Sequence, residues 1–150
     1  MGRLFEFFVY DPPTPMGRKR DRWVDSKGAV HYPEKKDVRS VYHIREAFLA
    51  AYPGETPIER NTPVKMSVKM WHKCPQSMSK KKRLAVWMKP AVITKPDSNN
   101  IVNQVFDALT GYAYVDDAQI VWISDVMQLY AIDRVGNDNQ PRMMITVEAL

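Results

Sequence analysis

With one cysteine in 150 residues, Cys74, the chain cannot close an intramolecular disulfide or build a cysteine-rich zinc centre. It has no apolar run near the roughly 18–20 residues that cross a bilayer. Its first residues, Met1 to Phe8, break a short apolar stretch with Glu6 and offer no small-residue cleavage site, so they do not read as a signal peptide. Glu6 also stands where a myristoylation signal needs Ser or Thr. A reducing, cytoplasmic setting away from membranes is the expectation. Gly-x-Gly-x-x-Gly, Gly-Lys-Ser/Thr and Gly-x-Ser-x-Gly motifs are all missing, which leaves nucleotide-dependent and serine-nucleophile chemistry unsupported. The three histidines, His31, His43 and His72, share no metal-ligand spacing. There is no internal repeat, low-complexity tract or linker, so residues 1–150 are expected to form a single domain.

A further absence is local. Residues 60–96 hold 10 Lys or Arg and no acid, whereas residues 97–150 hold 2 basic residues and 8 acids. Residues 1–59 are nearly balanced, with 10 basic and 9 acidic residues. A polyanion-binding strip followed by an acidic segment suits a protein that grips phosphates and holds cations beside them. A solvated basic loop next to an acidic surface has the same composition, so charge alone does not decide.

Hydrophobic periodicity gives the elements. Residues 4–10 are aromatic and β-branched and stop at Asp11-Pro12-Pro13, which reads as a strand. A small hairpin is expected around Asp25-Ser26-Lys27-Gly28. From about Glu34 to Ala51, Val38, Val41, Tyr42, Phe48 and Leu49 recur at helical steps, with Pro53-Gly54 as the stop. Residues 64–71 alternate apolar with polar and read as a half-buried strand. A short helix over 77–86 is expected despite a basic first turn that the helix dipole disfavours. Pro96-Asp97-Ser98 opens the clearest helix, with Ile101, Val102, Val105, Phe106, Ala108 and Leu109 as its apolar face and Gly111 as its stop. Strands follow over 119–130 and 142–147, and the methionines Met66, Met70, Met143 and Met144 on strands are expected to fill the core. The order implies an α/β (α+β) domain, a mixed β-sheet packed against two main helices.

The residues that could carry chemistry lie around the clearest helix. Asp97 precedes it, Asn99, Asn100, Asn103 and Asp107 lie on it, and Asp116-Asp117 follow it. Asn100, Asn103 and Asp107 share one polar stripe at i, i+3 and i+7. Carboxylate and amide oxygens from separate elements are the donors a Mg²⁺ ion uses beside a phosphodiester, where it polarises the phosphoryl oxygen and activates water. Taken singly, each of these residues is equally at home on a solvated surface.

In combination, Asp97-x-Asn99-Asn100, Asp107-Ala108-Leu109 and Asp116-Asp117-Ala118-Gln119-Ile120 resemble the RusA-type pattern Asp-x-Asp-Asn, Asp-Ala-Leu, Asp-Asp-x-Gln. The resemblance covers most of the chain and is most specific over about residues 95–120. It implies a Mg²⁺-dependent (Mn²⁺ possible) endodeoxyribonuclease that resolves Holliday junctions, four-way DNA, as a homodimer in recombination and repair. The setting it implies is the cytoplasm of a bacterial or phage-infected cell. By the same resemblance Asp97 and Asp117 match metal carboxylates, with Asp116 assisting and Asn100 and Asp107 supporting. Asn99 stands where the family has a third metal carboxylate, and Asn103 where it places a catalytic lysine. An asparagine oxygen can ligate Mg²⁺ but removes a negative charge, and a neutral Asn103 supplies no cation to the phosphate. Lys95 and Lys89 are the candidates for that role.

Arg18, Lys19, Arg20 and Arg22 beside Trp23, and Lys80, Lys81, Lys82 and Arg83 near Trp87, are expected to line the DNA. Two other readings stay open from the residues. One is a RusA-like protein that binds branched DNA without cutting it, because of Asn99 and Asn103. The other is a general nucleic-acid-binding module with no metal site.

Overall fold

The computed structural model describes residues 2–10, 23–31, 39–93 and 96–150. The elements are β1 (Leu4–Val9), β2 (Trp23–Val24), β3 (Val30–His31), α1 (Arg39–Ala51), β4 (Val64–His72), α2 (Lys80–Val86), α3 (Ser98–Leu109), β5 (Ile120–Tyr130) and β6 (Arg142–Ala149). A short 3₁₀ turn, Asp117–Gln119, leads into β5.

Four strands form one mixed sheet in the order β1-β6-β4-β5, and β2-β3 form a separate hairpin. β6 runs antiparallel to both β1 and β4, while β4 and β5 run parallel. A parallel pair needs a crossover, and here residues 73–119 with α2 and α3 supply it. The alternation read over residues 64–71 is the alternation of burial, and β1 and β6 share it. Phe5, Phe7 and Val9, then Val64, Met66, Val68 and Met70, then Met143, Ile145 and Val147, all point to one buried face. Met144, on the opposite face of β6, is half-buried rather than core.

α1 and α3 cover that face. α1 contributes Val41, Ile44 and Phe48, the last packed edge-on against Phe5 and Phe7 at 5.2 and 5.6 Å between ring centroids. Tyr42 and Leu49, expected on the apolar face, are exposed, because at about 100° per residue the stripe through Val41, Ile44 and Phe48 leaves both to one side. Residues 34–38 of the expected helix lie outside the described residues. α3 contributes Ile101, Val105, Ala108 and Leu109, and leaves Val102 and Phe106 half-buried at its margins. Its end is set as the sequence implies, by Gly111 at φ +86°. Arg45 of α1 donates to the carbonyls of Asp107 and Ala108 at 3.2 and 3.1 Å, a cation placed at the negative end of the α3 dipole.

α3 runs antiparallel to β5. Ser98 at its start lies beside Gln128, late in β5, at 3.5 Å between the amide Nε2 and the hydroxyl. Its far end leads into Ala113 and Tyr114, which bridge to Ile58 just ahead of β4.

The turn before β5 is fastened by one side chain. Gln119 is buried; its Oε1 accepts the N–H groups of Val115 and Asp116, each at 2.9 Å. Its Nε2 donates to the carbonyls of Glu59 at 2.7 Å and Thr62 at 3.1 Å, with Ile58 at 3.4 Å sharing a proton. The 58–62 loop is thereby locked to the 115–119 turn. Gln119→Ala would orphan groups on both segments, so we expect a loss of about 2–4 kcal/mol with an unchanged denaturant slope, measured by urea unfolding.

Candidate active site

The described candidates fall at three places. At the start of α3, Asp97 is the N-cap, its Oδ1 accepting the Asn100 N–H at 2.8 Å. Asn100 turns inward and accepts from the Gln104 amide at 2.7 Å. Asn99, Asn103 and Asp107 are exposed, so the solvent-facing row runs 99, 103, 107 rather than 100, 103, 107. The reason is that Asn100 sits over Gln104, which the core buries.

At the other end of α3 lie Asp107, Asp116 and Asp117. Asp116 caps the 3₁₀ turn, its Oδ1 accepting the Ala118 N–H at 2.9 Å, while Gln119 returns the bond to the Asp116 N–H. The Ala118 N–H and a hydrogen bond from the Asp117 carboxyl hold Asp116 below the ordinary carboxylate range. The same hydrogen bond to Asp116 pushes Asp117 up, helped by partial burial and by the negative charges of Asp116 and Asp107. Asp116 and Asp117 therefore share a proton more readily than either would alone. Beneath them the phenol of Tyr114 is fully buried; burial raises its pKa first, and the charges of Asp117 and Asp107 add to it.

Asp97 and Asp117 are thus not neighbours within one chain. Twelve helical residues span about 18 Å, and the parallel stretch of β5 from Ile120 to Gln128 spans roughly 26 Å. The sequence suggested that one helix and turn bring the two acidic motifs together; the helix instead holds them apart by its length. Among the described residues, no three His, Cys, Asp or Glu side chains gather in a group that could hold a metal. The donor chemistry fits a hard divalent ion, but the placement in a single chain does not.

The third place is α2. Lys80, Lys81 and Lys82 are exposed on its first turn, which Ser79 caps through the Lys82 N–H at 3.3 Å. Arg83 differs from its neighbours. It is buried, paired with Asp138 at 2.6 Å, and donates to the carbonyls of Pro75 and Met78 at 3.2 Å each. Its guanidinium ties α2 to the turn before β6 and is committed to that role rather than presented to a ligand. That ion pair in turn holds Asp138 below its ordinary range. Lys89 is exposed beyond the end of α2. Arg18, Lys19, Arg20, Arg22 and Lys95 lie outside the described residues. Of Trp23 only the backbone is described.

Sequence reasoning missed Arg60. It lies on the turn closed by the Thr62 N–H to the Glu59 carbonyl at 2.9 Å, and it lines a cavity of about 300 Å³ together with Asp116. The Asp-Asp-x-Gln motif was the available signal, because its glutamine is what brings that turn to the acidic pair.

The raised Asp117 gives a pH test. Between its unfolded and folded pKa values the folded chain holds a proton that the unfolded chain has released, so stability falls as pH rises through that window and stays lower above it. Asp117→Asn is expected to raise the thermal midpoint at neutral pH in EDTA and to give no gain below the ordinary carboxylate range. Thermal unfolding across pH checks this, and a gain independent of pH would contradict it.

Residues 12–148 match the family described as Endodeoxyribonuclease RusA. A protein of Bacillus subtilis (strain 168) described as "Uncharacterized protein YqaN" is 32% identical over 119 residues, covering 77% of this chain and 81% of that one.

Proposed function

Because the chain belongs to the RusA endodeoxyribonuclease family, we propose that it is a Holliday-junction resolvase that cuts four-way DNA with Mg²⁺ or Mn²⁺ as a homodimer. The observation that carries the reading is the placement of the motif carboxylates at opposite ends of α3. A single chain offers two incomplete donor sets. A two-fold dimer offers each set the other's partner, and a two-fold enzyme matches the paired strands of a four-way junction.

In this reading Asp97 and Asn99 of one copy and Asp116 and Asp117 of the other supply the oxygen ligands. A bound divalent ion would polarise the phosphoryl oxygen and activate water. Asp97 keeps one oxygen on the Asn100 N–H, which fixes its carboxylate while leaving lone pairs for a ligand. Asp116 is fixed likewise by Ala118 and stays ionised. Asp117, whose proton affinity is raised by its hydrogen bond to Asp116, would bind a cation in competition with that proton. Asp107 braces this end electrostatically, and Asn100 braces the start of α3. Lys80, Lys81 and Lys82, with Arg18, Lys19, Arg20 and Arg22, hold the DNA arms by their phosphates.

Chains with Asp97→Ala and Asp117→Ala, each expected to bind no Mn²⁺, should on mixing regain roughly a quarter of the wild-type sites, since half the dimers are mixed and each holds one intact site. Mn²⁺ titration and junction nicking both read this. Wild-type binding without recovery on mixing would refute the shared site.

A second reading, junction binding without cleavage, is favoured by Asn99 and Asn103, both exposed on the α3 row. Under that reading the wild type binds four-way DNA without nicking it. Asn99→Asp with Asn103→Lys should then raise nicking by about 100-fold or more, as one restored phosphate contact commonly does. A double variant that stays inactive would overturn the assignment of these two positions.

A further inference from the structure

We propose that Arg60 is the cation that contacts the DNA phosphodiester at the Asp116–Asp117 end of the site, where Asn103 offers none. The inference rests on the endonuclease reading above and adds to it a substrate-contacting residue outside the acidic motifs.

Its position is specified. Arg60 sits inside the turn from Glu59 to Thr62, and Gln119 grips the carbonyls at both ends of that turn at 2.7 and 3.1 Å. The same glutamine holds the Val115 and Asp116 N–H groups. The Ile58 N–H donates to the Ala113 carbonyl at 2.9 Å, a second tie between the two segments. The backbone that carries Arg60 is therefore fixed relative to the acidic pair.

Its charge acts on Asp116 without a direct bond to it. Among the described residues Arg60 forms no ion pair or hydrogen bond, and the side chain is exposed. Arg60 and Asp116 line one cavity of about 300 Å³, with Asn61, Thr62, Gln119 and Val121 around it. They share the cavity without an ion pair between them, which leaves room for a phosphate to take the guanidinium.

Among the described residues, Arg45 and Lys65 are already engaged elsewhere. Arg45 is bonded to the carbonyls of Asp107 and Ala108 and lies over the Tyr112 ring at 4.6 Å. The Lys65 ammonium lies over the Trp122 ring at 4.1 Å. A planar guanidinium suits a phosphate better than an ammonium, because its N–H groups meet two oxygens at once.

The test uses the full chain with Arg60→Gln and Arg60→Lys. Affinity for a synthetic four-way junction is measured against salt in EDTA, and single-turnover nicking in Mn²⁺. Arg60→Gln should lower the slope of log affinity against log salt by about 0.9, one phosphate contact. It should also slow nicking about 100-fold. Arg60→Lys should keep the slope and recover only part of the rate. An unchanged slope in folded Arg60→Gln overturns the proposal. If that variant does not fold, Arg60→Lys decides, and a wild-type rate there overturns it. A wild type that neither nicks DNA nor prefers branched to linear duplex would instead defeat the endonuclease reading, and the slope on duplex DNA would still decide Arg60.

Discussion

The Gln119 side chain is the contact on which the acidic end of this molecule depends. A primary amide has one acceptor oxygen and two N–H donors, and Gln119 spends all of them on backbone. Its burial raises the cost of leaving any of these groups unpaired. Two segments with little regular structure, 58–62 and 115–119, become one rigid corner. β4 and β5 both start from that corner, so the parallel pair and the carboxylates share one anchor. A carboxylate at this position would repel the carbonyls of Glu59 and Thr62, and an apolar residue would leave both segments open.

α3 has a different role. Its apolar stripe closes the core over the sheet, and the same geometry makes it a spacer between the acidic motifs. Lengthening or shortening a helix by one residue rotates everything beyond it by about 100°, so the spacing from Asp97 to Asp117 fixes direction as well as distance. A site that needs both ends then needs either a second chain or a different fold. The dimer in the proposed function is the arrangement that would answer this separation.

Much of this fold was legible in the sequence. Alternation marked β4, aromatic and β-branched composition marked β1, and helical spacing of apolar residues marked α1 and α3, because each element has one face on the core. What stayed hidden depends on contacts between distant segments. Nothing local to residues 64–72 or 120–130 says that these strands run parallel. Arg83 reads like the three lysines before it, yet it is buried, because its partner Asp138 is 55 residues away. In the site, the motif residues were legible as a set, but their separation by α3 was not, since order along a chain does not report distance. Arg60 was hidden for the same reason, being 56 positions from Asp116 in a loop without a motif.

Charge balance links these features. If the proposed correspondence with the family pattern holds, Asn99 removes a negative charge and Asn103 a positive one, so the row along α3 would keep its net charge while losing both a strong ligand and a cation. Under the proposed function, that loss would weaken metal binding and phosphate attraction together. A compensating cation on α3 itself would point from the helix surface, in the row that already carries Asp107. One on the Gln119-held turn comes from a separate element and shares a cavity with Asp116 without an ion pair to it. Under the proposed function, a phosphate placed there would meet positive charge from one element and the proposed metal carboxylates from another, while in the unloaded protein the Arg60 charge acts on Asp116 without a direct ion pair.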